Sequence, residues 1–140
     1  MEMKKARKVL FVLSAASLVL PWFSYSPNIM GYCWASEFCV LFVIPMFLVW
    51  YCFFGRGPAL CLSALGILGS LGNIGVLIYA LGFWQQRHNI VGGFHPETGI
   101  HTAVAGFWIS ASLFGILLIL VVIQAIRRIT EKGGEIPCCS

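Results

Sequence analysis

Aspartate is absent from this chain, and only 10% of the residues are charged, against about 25% in soluble proteins. That scarcity excludes a nucleic-acid interface, which needs a dense basic surface, and it excludes a disordered chain, which stays solvated through its charge. No Cys-x-x-Cys, no glycine-rich phosphate loop, no His-Glu-x-x-His and no Gly-x-Ser-x-Gly occurs, so the commonest redox, nucleotide, zinc-protease and hydrolase signatures are missing. No Asn-x-Ser/Thr glycosylation acceptor is present either. Ionisable side chains avoid the interiors of the apolar runs, whereas a proton-coupled carrier usually holds one at membrane depth. Histidine pairs that could hold haem inside the membrane are absent as well.

What remains is apolar. Hydrophobic residues make up 59% of the 140 residues and mean hydropathy is +0.90, which describes an integral membrane protein. Four apolar runs stand out, at about 9–25, 38–54, 59–84 and 103–126. They predict an all-α, polytopic four-transmembrane-helix bundle forming one membrane domain over 1–140, with outer loops 26–37 and 85–102 and a cytoplasmic tail 127–140. The first run is near the short limit of about 17 residues for crossing a ~30 Å hydrocarbon layer. Its basic start also suits a signal peptide, but the small cluster Ser14-Ala15-Ala16-Ser17 comes too early for a cleavage site, so an uncleaved first helix is expected. Pro45 should kink the second helix, because it removes an N–H and clashes with the carbonyl four residues back.

Topology follows from Lys and Arg, which are retained on the cytoplasmic side. Of the nine, Lys4, Lys5, Arg7, Lys8, Arg56, Arg127, Arg128 and Lys132 share one side of a four-span arrangement and Arg87 alone takes the other. Both termini are therefore expected in the cytoplasm. A cell membrane is the expected location, and the short loops favour the bacterial cytoplasmic membrane.

Helix packing in lipid relies on small residues and interhelical hydrogen bonds. The third run carries Ala59, Ser63, Gly66, Ser70, Asn73, Leu77 and Ala80 at spacings of four and three, widened by Gly69, Gly72 and Gly75. Gly106 and Ser110 form a shorter stripe in the fourth run, and Ser14, Ser17 and Pro21 one in the first. The second run has none, so the first, third and fourth helices are expected to pack tightly while the second faces lipid. Pairing of the third helix between two copies is the competing use of its stripe. Asn73, the most polar residue at mid-span, is expected to bond a neighbouring helix.

A few residues invite chemistry. Cys33 and Cys39 lie together in the first outer loop, where a disulfide could persist. Cys52, Cys61, Cys138 and Cys139 fall on the reducing side. Glu37, at the mouth of the second helix, suits the N–H groups of a helix start or offers a polar contact to a cation. His88, His95 and His101 share the second outer loop without a compact ligand spacing, although His95, Glu97 and His101 could converge around Pro96 and Gly99. Cys138 and Cys139 end the chain beyond a basic stretch, where lipidation is conceivable.

No catalytic set, metal site or cofactor is expected from these patterns. The reading is a small multi-pass protein that acts as an accessory, regulatory or protective component. Its partners would be the lipid bilayer and either another membrane protein or further copies of itself. An oligomeric pore or small-solute carrier, and a membrane thiol oxidoreductase using Cys33 and Cys39, are the alternatives.

Overall fold

The computed structural model describes residues 2–25, 31–88, 90 and 92–133; Cys138 and Cys139 lie outside them. The described chain is mostly helical. Three helical stretches, Ala35–Phe54, Ala59–Arg87 and Ala105–Glu131, are long and apolar enough to cross a membrane. The elements in order are α1 (Glu2–Ala16), a 3-10 turn (Ser17–Val19), β1 (Pro21–Ser24), β2 (Tyr32–Trp34), a second 3-10 turn (Ala35–Phe38), α2 (Cys39–Phe54), α3 (Ala59–Arg87), α4 (Pro96–Thr102) and α5 (Ala105–Gly133).

The first apolar run does not continue as one helix to Tyr25. Only residues 9–16 of it are α-helical, about 12 Å of rise. Its end has a local cause. The Ser14 hydroxyl donates to Leu10 O at 2.9 Å and the Ser17 hydroxyl to Ser14 O at 2.7 Å, bonds that compete with the helix ladder. Pro21 then forces the residue before it out of the α region, and Leu20 is extended at φ −81°, ψ 151°. β1 begins at that proline, where a missing N–H is tolerated. It pairs antiparallel with β2, Phe23 opposite Cys33 and Ser24 opposite Tyr32, with an irregularity between Pro21 and Phe23. Its other edge is covered: Val104 N–H donates to Trp22 O at 2.9 Å, and Phe23 bridges Ala103. The chain therefore places a small sheet against the start of α5 where the end of the first helix was expected.

Of the α3 stripe, Ser63, Gly66, Gly69, Ser70 and Asn73 are buried, while Gly72 is half-buried and Gly75 exposed. The stripe's partners differ. α3 packs against α2 and α5, while α1 lies against α5. A Cβ on Gly69 would stand 2.6 Å from Pro45 O and 2.8 Å from Leu48 Cβ, and one on Gly72 would meet the Pro45 ring at 3.1 Å. Gly66 faces Cys52 of α2 and Val121 of α5. The second helix is thus the close neighbour of the third, because its bulky side chains and proline fill the trough that the glycines leave open. The expectation that α2 is the lipid-facing outsider is corrected: one face of it, Phe42, Met46, Val49, Cys52 and Phe53, is buried. The Phe42 and Phe114 rings stack across the core at 5.1 Å. Asn73 Nδ2 donates to Met46 Sδ at 3.6 Å, an interhelical contact of the expected kind with a weak acceptor.

Gly106 and Ser110 of α5 also serve packing. Gly106 lets α5 touch Pro21 O. The Ser110 hydroxyl accepts the Trp22 indole N–H at 2.9 Å and lies 3.0 Å from Gly106 O and 3.3 Å from Ser17 O. Around it Trp22 stacks on Phe38 and meets Phe42 and Phe107 edge-on.

The cations separate to opposite ends. Arg7 lies 6.0 Å above the Phe53 ring, and Arg128 Nη2 donates to Cys52 O at 2.9 Å, satisfying a carbonyl in the last turn of α2. Arg56 follows in the α2–α3 hairpin. Arg87 is at the far end, beside the sheet, 5.5 Å from the Phe38 ring.

Candidate functional site

Four polar side chains from four places in the sequence meet at the sheet end of the bundle. Tyr25 follows β1, where its N–H donates to Gly31 O at 3.1 Å. Cys33 is the middle residue of β2 and points inward, fully buried. Glu37 sits in the 3-10 turn entering α2. Its Oε1 accepts the Trp34 N–H at 3.1 Å, at the start of that 3-10 turn. His88 ends α3, its N–H donating to Gln85 O at 3.2 Å.

Glu37 also has a second task. Its Oε2 lies 2.8 Å from His88 Nε2, and the Tyr25 hydroxyl lies 2.8 Å from His88 Nδ1. The Tyr25 hydroxyl is hydrogen-bonded to Nδ1, whereas the approach of Glu37 to Nε2 lacks hydrogen-bond geometry, so Nε2 is buried without a hydrogen-bond partner. Tyr25 meets the imidazole edge-on at 5.4 Å, and Trp84 tilts against it at 6.4 Å. Trp84 is itself held by stacking on Phe23, 5.3 Å between centroids and 3° between planes. The His88 ring is therefore held by two aromatic neighbours and by the Tyr25 hydroxyl at Nδ1, with Nε2 turned toward the Glu37 carboxylate.

Cys33 completes the group. Its Sγ, a Glu37 carboxylate oxygen and a His88 ring nitrogen all lie within 4.8 Å of one another. Burial, then the adjacent Glu37 carboxylate to which the thiol donates, push the Cys33 thiol up to about 12, with Arg87 partly opposing. At neutral pH it is a thiol, not a reactive thiolate.

Cys33 and Cys39 are both free thiols. β2 turns Cys33 onto Glu37, while Cys39 begins α2, so the disulfide allowed by their shared loop is not formed. His95, Glu97 and His101 do not converge. His95 Nε2 lies 2.9 Å from Gly92 O and His101 sits exposed on α4. Among the described residues the one cluster with three metal-ligating side chains is Cys33, Glu37 and His88. Sequence reading singled out Cys33 and Glu37 separately and missed their meeting with His88 and Tyr25. No spacing signals a contact between residues so far apart in the chain.

Compared with protein-family models, with curated proteins and with solved structures, the chain matches none.

Proposed function

We propose that the chain is a multi-pass membrane protein without a catalytic site, an accessory, regulatory or protective component that binds another membrane component through helix contacts. In this reading α2, α3 and α5 cross the membrane, and α1 with its following turn and sheet forms a fourth segment along α5. Both termini lie in the cytoplasm with Arg7, Arg56 and Arg128, and the Cys33–Glu37–His88 end lies outside, as the asymmetry of cations favours.

One observation carries the binding role. Between α1 and α2 runs an open groove lined by Phe11, Val12, Trp50 and Phe54, with Lys8 beside them. Lys4, Arg7 and Phe53 extend it toward the basic end. Ser63, Gly66, Gly69, Ser70 and Asn73 of α3 are buried inside the chain, whereas this groove offers room for an apolar helix, and its basic mouth suits an acidic flank or anionic headgroups. A pore or carrier has less support. Ser70 and Asn73 are buried in the chain's own core, Asn73 against Met46, and do not face outward where several copies could share a polar axis. The thiol oxidoreductase reading has less as well, since Cys33 is a buried, protonated thiol without a bonded partner cysteine.

Gentle detergent extraction from the native membrane, followed by mass analysis of the intact particle, tests the proposal. A stoichiometric membrane-protein partner is expected. It should be lost in Trp50→Ala and kept in Ile119→Ala, an exposed position on α5. A homo-oligomer that passes small solutes in liposomes would replace this reading with the carrier, and a partner indifferent to Trp50 would remove the groove from it.

A further inference from the structure

We propose that Cys33, Glu37 and His88 form a binding site for one zinc ion, with Tyr25 orienting the histidine. The donors are one thiolate sulfur, one carboxylate oxygen and one imidazole nitrogen, the three ligand types that zinc takes in proteins. Three protein ligands leave a fourth tetrahedral position for water or an incoming ligand. The cluster has the openness this needs: the Glu37 and His88 side chains are 28% and 23% exposed, while Cys33 is fully buried behind them. An ion arriving from solvent meets the Glu37 carboxylate first, then the buried His88 Nε2, and sulfur at the bottom.

Distances support the same geometry. Tetrahedral zinc bonds of about 2.0–2.3 Å set ligand atoms about 3.3–3.7 Å apart. Here the carboxylate oxygen and imidazole nitrogen are 2.8 Å apart, and all three ligand atoms lie within 4.8 Å of one another. Glu37 and His88 would part by about half an ångström and Cys33 would close in by up to about one, within reach of small side-chain rotations. The scaffold around them is rigid: β2 fixes Cys33, the Trp34 N–H fixes the second Glu37 oxygen, and Tyr25 and Trp84 fix the imidazole plane.

Tyr25 supplies what metal-bound histidines commonly have, an oxygen on the other ring nitrogen that sets the tautomer. On binding, the imidazole proton resides on Nδ1 and is donated to the Tyr25 oxygen, while Nε2 presents its lone pair to zinc. The Cys33 thiol proton leaves to water. Thiolate and carboxylate balance the two charges of the ion, and no electron is transferred. Arg87 is the neighbouring cation. Its guanidinium lies over the Phe38 ring, 5.5 Å from the centroid.

The test uses the full chain in detergent, stripped with a chelator and then titrated with zinc, and separately with cobalt as a spectroscopic probe. Expected are one zinc per chain and a thiolate-to-cobalt charge-transfer absorption. Both should persist in Cys138→Ser/Cys139→Ser and be lost in Cys33→Ser and in His88→Gln. Tyr25→Phe keeps every ligand and should weaken zinc about 10–100-fold, which a merely structural tyrosine would not do. Absence of chelator-competing zinc binding by the wild type overturns the proposal. So does binding that survives both ligand substitutions, or cobalt absorption that disappears with the tail cysteines. If Cys33→Ser fails to fold, the wild-type cobalt spectrum and the Tyr25→Phe affinity still decide.

Discussion

Pro45 of α2 and Gly69 of α3 meet backbone to backbone: the Pro45 carbonyl oxygen lies 2.6 Å from where a Gly69 Cβ would stand. The contact joins a proline in one apolar helix to the glycine trough of the next. It explains why the third helix carries so many small residues: they admit the bulky second helix at close range, and van der Waals packing substitutes for the hydrophobic drive that lipid does not provide.

Gly69→Ala should therefore destabilise the protein by about 1–3 kcal/mol, the usual range for overpacking. Gly75→Ala, where a Cβ meets nothing within 4 Å, should be neutral or slightly stabilising through helix propensity. Thermal unfolding in one detergent compares the two, and equal losses would remove the close approach from the account.

Ser110→Ala removes the acceptor of the buried Trp22 indole N–H. Leaving that donor unsatisfied should cost about 1–3 kcal/mol. Ser112→Ala, whose exposed hydroxyl bonds only Trp108 O one turn back, should change stability little. The same unfolding measurement distinguishes them.

Asn73 and Met46 are coupled across α2 and α3, but through a thioether. A double-mutant cycle of Asn73→Leu and Met46→Leu should give a coupling near about 0.6 kcal/mol, the average for interhelical hydrogen bonds in membranes. A coupling above about 2 kcal/mol would mean a stronger network than this contact provides.

The buried thiols and the exposed one should differ in reactivity. With the metal removed, alkylation in detergent at pH about 8, near the ordinary thiol pKa, should modify Cys61 quickly. Cys33 should react slowly, since it is buried and its pKa is pushed up to about 12. Mass mapping of modified peptides over time reads both rates, and equal rates would contradict the sheet's closure over Cys33.

The helices long and apolar enough to cross a membrane were legible because composition and a spacing of four and three are local properties. The α3 stripe could be named residue by residue for that reason, and Gly106 and Ser110 likewise. Its partner could not. Small residues were expected to meet small residues, yet a trough also accepts a ridge, and Pro45 with Leu48 is the ridge. The early end of α1 was written in Pro21, whose effect on Leu20 is local, but apolar content outweighed it and the run was read as continuous. The site was least legible. Cys33 and Glu37 share a loop, but His88 reaches them only because α3 returns to the sheet end, and Tyr25 only because β1 pairs with β2. Such meetings arise from the fold and leave no periodic trace.

The arrangement of ends is tested most directly by labelling intact cells with a membrane-impermeant thiol reagent. One form of the protein would keep Cys61 as its sole accessible thiol, with the half-buried Cys39 and the tail cysteines Cys138 and Cys139 replaced by serine; another would carry Ile100→Cys, at an exposed position of α4, on that background with Cys61→Ser added. The account predicts that Ile100→Cys is labelled from outside and that Cys61 is labelled only after the membrane is opened. Labelling of Cys61 in sealed cells, with position 100 protected, would put the Arg56 end outside and contradict the account.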